Sequence, residues 1–149
     1  MAQRQKRVGL DTSCVIPLLC DWHEFHAPTV AAIGTASLKD VVVCCHVLLE
    51  CFAVLTRLLA PYRIPPRQAE MLLATNFSES VILCGVLESD LWAAVGRAAE
   101  RQASGGKIYD AVISHATARA GASVLLTWNV KDFIAVAPHG LDIRAPRAA

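Results

Sequence analysis

The chain has 149 residues, a formal net charge of +1 and a hydrophobic fraction of 54%. This length suffices for one domain with a substantial core and is short for two, so we expect a single domain over residues 1–149. A net charge near zero excludes a protein that holds nucleic acid through bulk positive charge, and any attraction to phosphate must be local. A chain with this large a share of hydrophobic residues has either a large core or an apolar surface that contacts a partner.

Six cysteines occur in the sequence, and no Cys-x-x-Cys motif is present. Most of them lie inside apolar runs, where cysteine behaves as a small hydrophobic residue. This favours buried free thiols in a reducing cytoplasm over disulfides or a zinc site. The N-terminal segment lacks the long apolar stretch and the cleavage site of a signal peptide, which also favours the cytoplasm.

The first elements in chain order are a strand, two helices and a second strand. The segment "RVGL" (Arg7–Leu10) predicts a short strand that ends at Asp11. Helices are expected over residues 13–19 and 24–37. The β-branched run Val41–Cys45 then predicts the second strand, and a helix follows over residues 46–59.

Residues 41–60 together form an apolar segment about as long as a membrane span. Glu50 and Arg57 lie inside it, and each such charge costs roughly 2.5–3.5 kcal/mol at the centre of a membrane helix. The segment also divides into a β-branched part and a part rich in helix formers. We therefore expect a strand followed by a helix, and no contact with a membrane.

The rest of the chain continues the alternation of helices and strands. The expected elements are a helix opened by Pro66, a strand over residues 81–85, helices over 88–103 and 108–120, a strand over 123–128 and a short fifth strand near Asp142. Short, continuously apolar strands separated by helices are typical of a mostly parallel sheet that is covered on both faces. The sequence therefore predicts a three-layer α/β/α fold with a central sheet of four to five strands.

Ligands of such sheets bind at the carboxyl ends of the strands, and four acidic residues map near that edge. Asp11 follows the first strand, Glu50 lies in the helix after the second, Asp110 lies in the helix before the fourth, and Asp132 follows the fourth. Singly, each acid has an ordinary alternative as a helix cap, a partner of the helix dipole or a solvated residue. Clustered carboxylates repel one another unless a cation offsets them, and oxygen-only ligands favour Mg²⁺ or Mn²⁺.

Two groups of histidines are weaker candidates for chemistry. His115 lies about 140° around the helix from Asp110, so we expect it to pack or face solvent and not to act as a general base. His23 and His26 have no third ligand at a familiar spacing, which argues against a zinc site there.

Three motifs, in this order, resemble the PIN-domain ribonucleases and in particular the VapC-type toxins. They are "LDTSCVIPLL" near the start, "LLECFAVLTRL" in the first third and "KIYDAVISHATARAGASVLLTWNVKDF" near the end. The resemblance covers essentially the whole chain. It implies a PIN-like fold and an endoribonuclease that depends on Mg²⁺ or Mn²⁺.

The resemblance also assigns roles to individual residues. It gives metal binding and catalysis to Asp11, Glu50 and Asp110, and it leaves the fourth position between Asn129 and Asp132, of which we favour Asp132. Side chains expected to contact these ligands or the RNA are Thr12, Ser13, Thr127, Asn129 and Arg57. Cations expected near the RNA backbone are Arg57, Lys107, Arg119 and Lys131.

The partners that the resemblance implies are RNA, a second copy of the chain and a small VapB-like antitoxin of a type II toxin–antitoxin module. Two apolar helical regions, residues 21–38 and 65–77, are expected to form the groove for an antitoxin helix. Two alternatives stay open: a PIN nuclease of RNA processing without an antitoxin, and a PIN-like module that binds without cleaving.

Overall fold

A computed structural model describes residues 6–34 and 37–147 of the chain. Its strands form one sheet in the order β3-β2-β1-β4-β5, and every neighbouring pair is parallel. The strands are β1 Arg7–Leu10, β2 Val41–Cys44, β3 Ile82–Cys84, β4 Ala122–Leu126 and β5 Asp142–Arg144. The predicted parallel sheet of four to five strands is confirmed, with β1 at its centre.

Seven α-helices connect these strands within the described residues. They are α1 Thr12–Leu19, α2 His26–Ile33, α3 Cys45–Arg57, α4 Pro66–Phe77, α5 Glu88–Glu100, α6 Lys107–Arg119 and α7 Val130–Val136. Helices α1 to α4 pack in one group and α5 to α7 in another, as right-handed crossovers on the two faces of a sheet require. The expected three-layer α/β/α fold is therefore confirmed.

Two sequence predictions differ from these bounds. The predicted helix over residues 24–37 is shorter, since α2 ends at Ile33, and positions 35–36 lie outside the described residues. Helix α7 was missed, because no helix was expected between the fourth strand and the fifth.

The apolar segment at residues 41–60 is a buried strand and a helix, as predicted. All four residues of β2 are buried, because helices cover both faces of a parallel sheet. Within the two described ranges, no helix is long and apolar enough to cross a membrane. All six cysteines are free and five of them are buried, which confirms the prediction of buried thiols.

An ion pair between the buried Asp90 and the exposed Arg119 joins α5 to α6. The Nε of Arg119 donates to both carboxylate oxygens of Asp90 at 3.0 Å, and Asp90 also accepts from the backbone N–H of Leu87 at 2.9 Å. Burial by itself raises the pKa of Asp90, but these hydrogen bonds outweigh it and lower the pKa below its usual range. Arg119, one of the cations expected near RNA, thus connects two helices through its ion pair with Asp90.

The apolar groove on the surface differs from the predicted one. Helix α2 packs mainly on α1, and α4 packs on α3, so these two helices do not form the expected groove with each other, and positions 35–36 of the first predicted region lie outside the described residues. A groove of about 410 Å³ lies instead between α3, α4 and the edge strand β3. Its apolar lining includes Leu48, Leu49, Phe52, Leu73, Phe77 and Leu83.

Gly9 lets the central strand and α6 approach each other closely. A β-carbon at Gly9 would overlap the Cγ2 atom of Thr117 on α6. Thr117 is fully buried, and its hydroxyl has no hydrogen-bond partner within the part of the chain that the structure describes. The contact therefore fixes the distance between β1 and the helix that carries Asp110.

We expect Gly9→Ala to lower the free energy of unfolding by about 1–3 kcal/mol, the usual cost of overpacking a core. Adding Thr117→Ala to the same chain should restore most of the loss, because it removes both the overlapping methyl group and the unpaired hydroxyl. Urea unfolding followed by circular dichroism measures both effects.

The matched control is Gly96→Ala on α5, where an added β-carbon meets open space. It should stabilise the protein by about 0.5–1 kcal/mol, as alanine does relative to glycine inside a helix. A Gly9→Ala protein as stable as wild type would show that the close approach of β1 and α6 is not required.

Candidate active site

Asp11 lies between the end of β1 and the start of α1 and is almost fully buried, with 3% of its surface exposed. Its Oδ1 accepts hydrogen bonds from the Ser13 hydroxyl at 2.8 Å and the Cys14 N–H at 3.3 Å. Its Oδ2 accepts from the Thr127 hydroxyl at 2.9 Å. Because Thr127 follows β4, these bonds join the carboxyl ends of two neighbouring strands.

Glu50 reaches the same edge of the sheet from α3. The Thr12 hydroxyl donates to its Oε2, and the Nε2 of His46 lies 3.1 Å from its Oε1. The His46 ring in turn stacks on Tyr109 of α6, with ring centroids 5.2 Å apart and planes 10° from parallel. Glu50 is therefore held by Thr12 of α1 and by His46, whose ring packs on the first turn of α6.

The negative charges of the other three acids all act on Asp110. Burial is the largest cause that raises its pKa, to about 7, and the charges of Asp11, Glu50 and Asp132 add to the rise in that order. Lys107 opposes them, and its Nζ lies 3.9 Å from the Oδ1 of Asp132. The structure thus brings the four sequence-predicted acids into one electrostatic cluster.

A cavity of about 540 Å³ opens at this cluster. Asp11, Glu50 and Asp110 all line it, whereas Asp132 does not. The other predicted lining residues are Thr12, Ser13 and Asn129. Thr127 contributes through its hydrogen bond to Asp11.

Several residues singled out in the sequence lie elsewhere. Arg57 is the exposed last residue of α3 and does not line the cavity, so the structure does not bring it to the acids. His115 bonds within its own helix, with Nδ1 2.7 Å from the carbonyl oxygen of Ala111, and His26 Nδ1 lies 2.7 Å from that of Pro17.

Sequence reasoning missed an aromatic side of the cavity, formed by His23, Phe25 and Trp128. Trp128 stands between Thr127 and Asn129, which were both singled out, and that adjacency was the available signal. Phe25 was expected only as part of the antitoxin groove of residues 21–38. The stacking of Phe25 on Trp128, with ring centroids 4.2 Å apart, depends on tertiary contact and leaves no local pattern.

Protein donors hold the carboxylates of Asp11 and Glu50. In residues 6–34 and 37–147, no three acidic, histidine or cysteine side chains are arranged to hold a metal ion directly. The charges of Asp11, Glu50 and Asp132 nevertheless all act on Asp110, so the four acids share one region.

Comparison with known proteins agrees with this geometry. Residues 8–137 match the family model of the PIN domain. Ribonuclease VapC27 of Mycobacterium tuberculosis (strain ATCC 25618 / H37Rv) is 33% identical over 111 residues, which are 74% of this chain and 77% of VapC27. The chain belongs to the PIN domain family and, within it, to the VapC-type proteins.

Solved structures show the same fold at lower sequence identity. The structure of Mycobacterium tuberculosis VapC20, described as a sarcin-ricin loop cleaving toxin, matches with a TM-score of 0.70 at 18% identity and covers 86% of this chain and 94% of VapC20. DNA-bound VapBC from Salmonella typhimurium matches with a TM-score of 0.65 at 16% identity and covers 93% of this chain and 96% of that one.

We expect the metal-free protein to lose stability as the pH rises from 5 to 8. Burial raises the pKa of Asp11 to about 6 and that of Asp110 to about 7, against 3.8 for an ordinary carboxyl. Since the folded protein binds these protons more tightly than the unfolded chain, their stabilisation is complete below about pH 4 and is lost as the pH rises through about 6–7. Melting temperatures in the presence of a chelator should fall by several degrees over this window.

Asp11→Asn should flatten this pH dependence, because the amide does not titrate. Glu79→Gln serves as the control, since Glu79 is exposed and lies before β3, away from the carboxyl edge. Asp90 does not interfere, because its pKa is lowered and its contribution changes only in more acidic solution. A melting temperature that is constant or rises between pH 5 and 8 would contradict the raised pKa values of Asp11 and Asp110.

Proposed function

We propose that this protein is an endoribonuclease that hydrolyses RNA phosphodiester bonds with Mg²⁺ or Mn²⁺, and that it is the toxin of a VapBC-like type II module. The observation that carries the proposal is that Asp11, Glu50 and Asp110 line one cavity with Asp132 close enough to perturb Asp110. The names of its relatives support it, because VapC27 is called a ribonuclease and VapC20 is described as cleaving the sarcin-ricin loop.

A divalent cation fits the chemistry of this donor set. The raised pKa of Asp110 reflects burial and the charges of three neighbouring carboxylates, and a bound cation would remove that penalty. Asp11, Glu50 and Asp110 would hold the ion, with Asp132 adding charge beside them. When bound, it would activate a water molecule and neutralise charge on the phosphate.

The protein's own hydroxyl groups orient the acids. Ser13 and Thr127 donate to Asp11, and Thr12 donates to Glu50, so these carboxylates have fixed positions before substrate arrives. The backbone N–H of Asn129 donates to the Thr127 hydroxyl at 2.9 Å. Its side-chain amide remains at the cavity, where it can orient a phosphate or a water.

Asp11→Asn, Glu50→Gln and Asp110→Asn should each lower Mn²⁺-dependent RNA cleavage by about 100-fold or more, since each removes a charge that positions the activated water. Cleavage of a short fluorescent RNA measures the rate, and circular dichroism checks the fold. Glu79→Gln should cleave as wild type does. A folded Asp110→Asn protein with a wild-type rate would rule out the assigned site.

The fourth position can be decided by comparing Asp132→Asn with Asn129→Ala. We expect the larger loss for Asp132→Asn, because the Asp132 charge already reaches Asp110 and an amide cannot neutralise a cation. The loss should be partly recovered at higher Mg²⁺ concentration. A larger loss in Asn129→Ala would reverse the assignment.

Two apolar surfaces fit the partners that we propose. The groove between α3, α4 and β3 is lined almost entirely by apolar side chains, which suits the apolar face of an antitoxin helix. On α5, Leu91 and Val95 follow Leu87 at intervals of four residues, and the three are 47–50% exposed. This stripe suits a second copy of the chain. The similar Salmonella typhimurium structure is described as VapBC bound to DNA, which supports an antitoxin partner.

The assembly prediction separates the two surfaces. Light scattering should show a dimer of the chain alone and a larger complex with the product of the neighbouring small gene. Leu91→Glu should give a monomer that still binds this product, whereas Leu49→Glu, in the groove, should stay dimeric and bind it less tightly. A monomer that binds no such product would leave a PIN nuclease without an antitoxin, the alternative reading of the sequence.

A further inference from the structure

The aromatic side of the cavity forms a wall beside the acids. We use "aromatic wall" for His23, Phe25 and Trp128, which line the same cavity as Asp11, Glu50 and Asp110. The rings of Phe25 and Trp128 are 14° from parallel with centroids 4.2 Å apart. The His23 ring packs against Phe25 at a tilt, with centroids 5.8 Å apart.

Hydrogen bonds hold the aromatic wall in place. The indole N–H of Trp128 donates to the Thr29 hydroxyl at 3.0 Å, and that hydroxyl donates to the carbonyl oxygen of Phe25 at 2.6 Å. The N–H of Phe25 donates to Nδ1 of His23 at 3.1 Å. Rings that are already fixed lose little conformational freedom when a ligand binds to them.

The aromatic wall is also tied directly to the acids. The backbone N–H of Trp128 donates to the Ser13 hydroxyl at 2.8 Å, and the same hydroxyl donates to Asp11 at 2.8 Å. Phe25 and Trp128 are only half-buried, so packing of the core does not account for all of their surface. The cavity, at about 540 Å³, falls in the range of about 300–1,000 Å³ that is usual for organic ligands.

We propose that the aromatic wall binds an unpaired nucleobase of the RNA next to the phosphate that is cut, an inference that rests on the proposed function. Aromatic side chains bind single-stranded bases by stacking, whatever the base. A base inside a duplex is already paired and stacked, so it cannot occupy such a site.

Electrostatics explains why such a contact is needed. Three carboxylates at the cavity, with Asp132 beside them, repel the phosphate backbone, and the chain has a net charge of only +1. Stacking is an attraction that does not depend on charge. Binding at the aromatic wall should therefore weaken less with salt than phosphate contacts do.

Fluorescence of Trp128 tests the proposal directly. In an Asp110→Asn chain, which blocks cleavage, Trp22→Phe and Trp92→Phe leave Trp128 as the sole tryptophan. A short single-stranded RNA should quench its emission, with the same midpoint as the anisotropy of the labelled RNA. The control chain carries Asp110→Asn, Trp22→Phe and Trp128→Phe, and its remaining Trp92, which is 69% exposed on α5, should be unaffected.

Affinity measurements give a second test. Trp128→Leu should weaken RNA binding about tenfold, whereas Trp128→Phe, which keeps a ring, should retain most of it. The same RNA sequence, when paired in a duplex, should bind weakly to the chain that keeps Trp128. The Trp128→Leu substitution should not weaken this binding further. Circular dichroism confirms that the variants are folded.

The outcomes separate this proposal from the proposed function. Binding detected by anisotropy without quenching of Trp128 overturns the aromatic wall and leaves the nuclease intact. Quenching in a protein whose wild-type form cleaves no RNA overturns the nuclease and leaves the wall as a base-binding site. A chain that binds no single-stranded RNA contradicts both.

Discussion

Burial of the Asp11 carboxylate is the constraint on which the rest of the site depends. A buried carboxylate is costly unless several donors satisfy it. Its donors come from the first turn of α1 and from Thr127 after β4, so β1 and β4 must be neighbours, as they are in the sheet. Ser13 serves twice, because it donates to Asp11 and accepts from Trp128. The acidic and aromatic sides of the cavity therefore share one hydroxyl.

The features that the sequence predicted well depend on local patterns. Short apolar runs located β1 to β4 within one or two residues, β5 was expected only as a short strand near Asp142, and the alternation of strands and helices gave the layers. The rule that strand ends converge brought Asp11, Glu50 and Asp110 to one place. Helix α7 was missed because it has only 7 residues, too few for a helical period to stand out from a turn.

The features that were missed depend on contacts between distant parts of the chain. Arg119 resembles any surface cation until α5 brings a buried Asp90 beside it. The sequences of the two apolar regions, residues 21–38 and 65–77, do not indicate which helix each region packs against. In the structure, α4 packs on α3. Phe25 and Trp128 stack only because the loop before α2 reaches the end of β4, and neither residue carries a local signal of that contact.

The close approach at Gly9 has a consequence for how loss of activity is interpreted. Asp11 follows Gly9 by two residues, and Asp110 lies about two helical turns before Thr117 on α6. The packing of Gly9 against Thr117 therefore sets the spacing of two carboxylates that neither residue touches. A side chain at position 9 would overlap Thr117, and a shift of α6 that relieved the overlap would change this spacing. In a survey of substitutions scored by RNA cleavage alone, a residue without a side chain would be taken for part of the catalytic machinery.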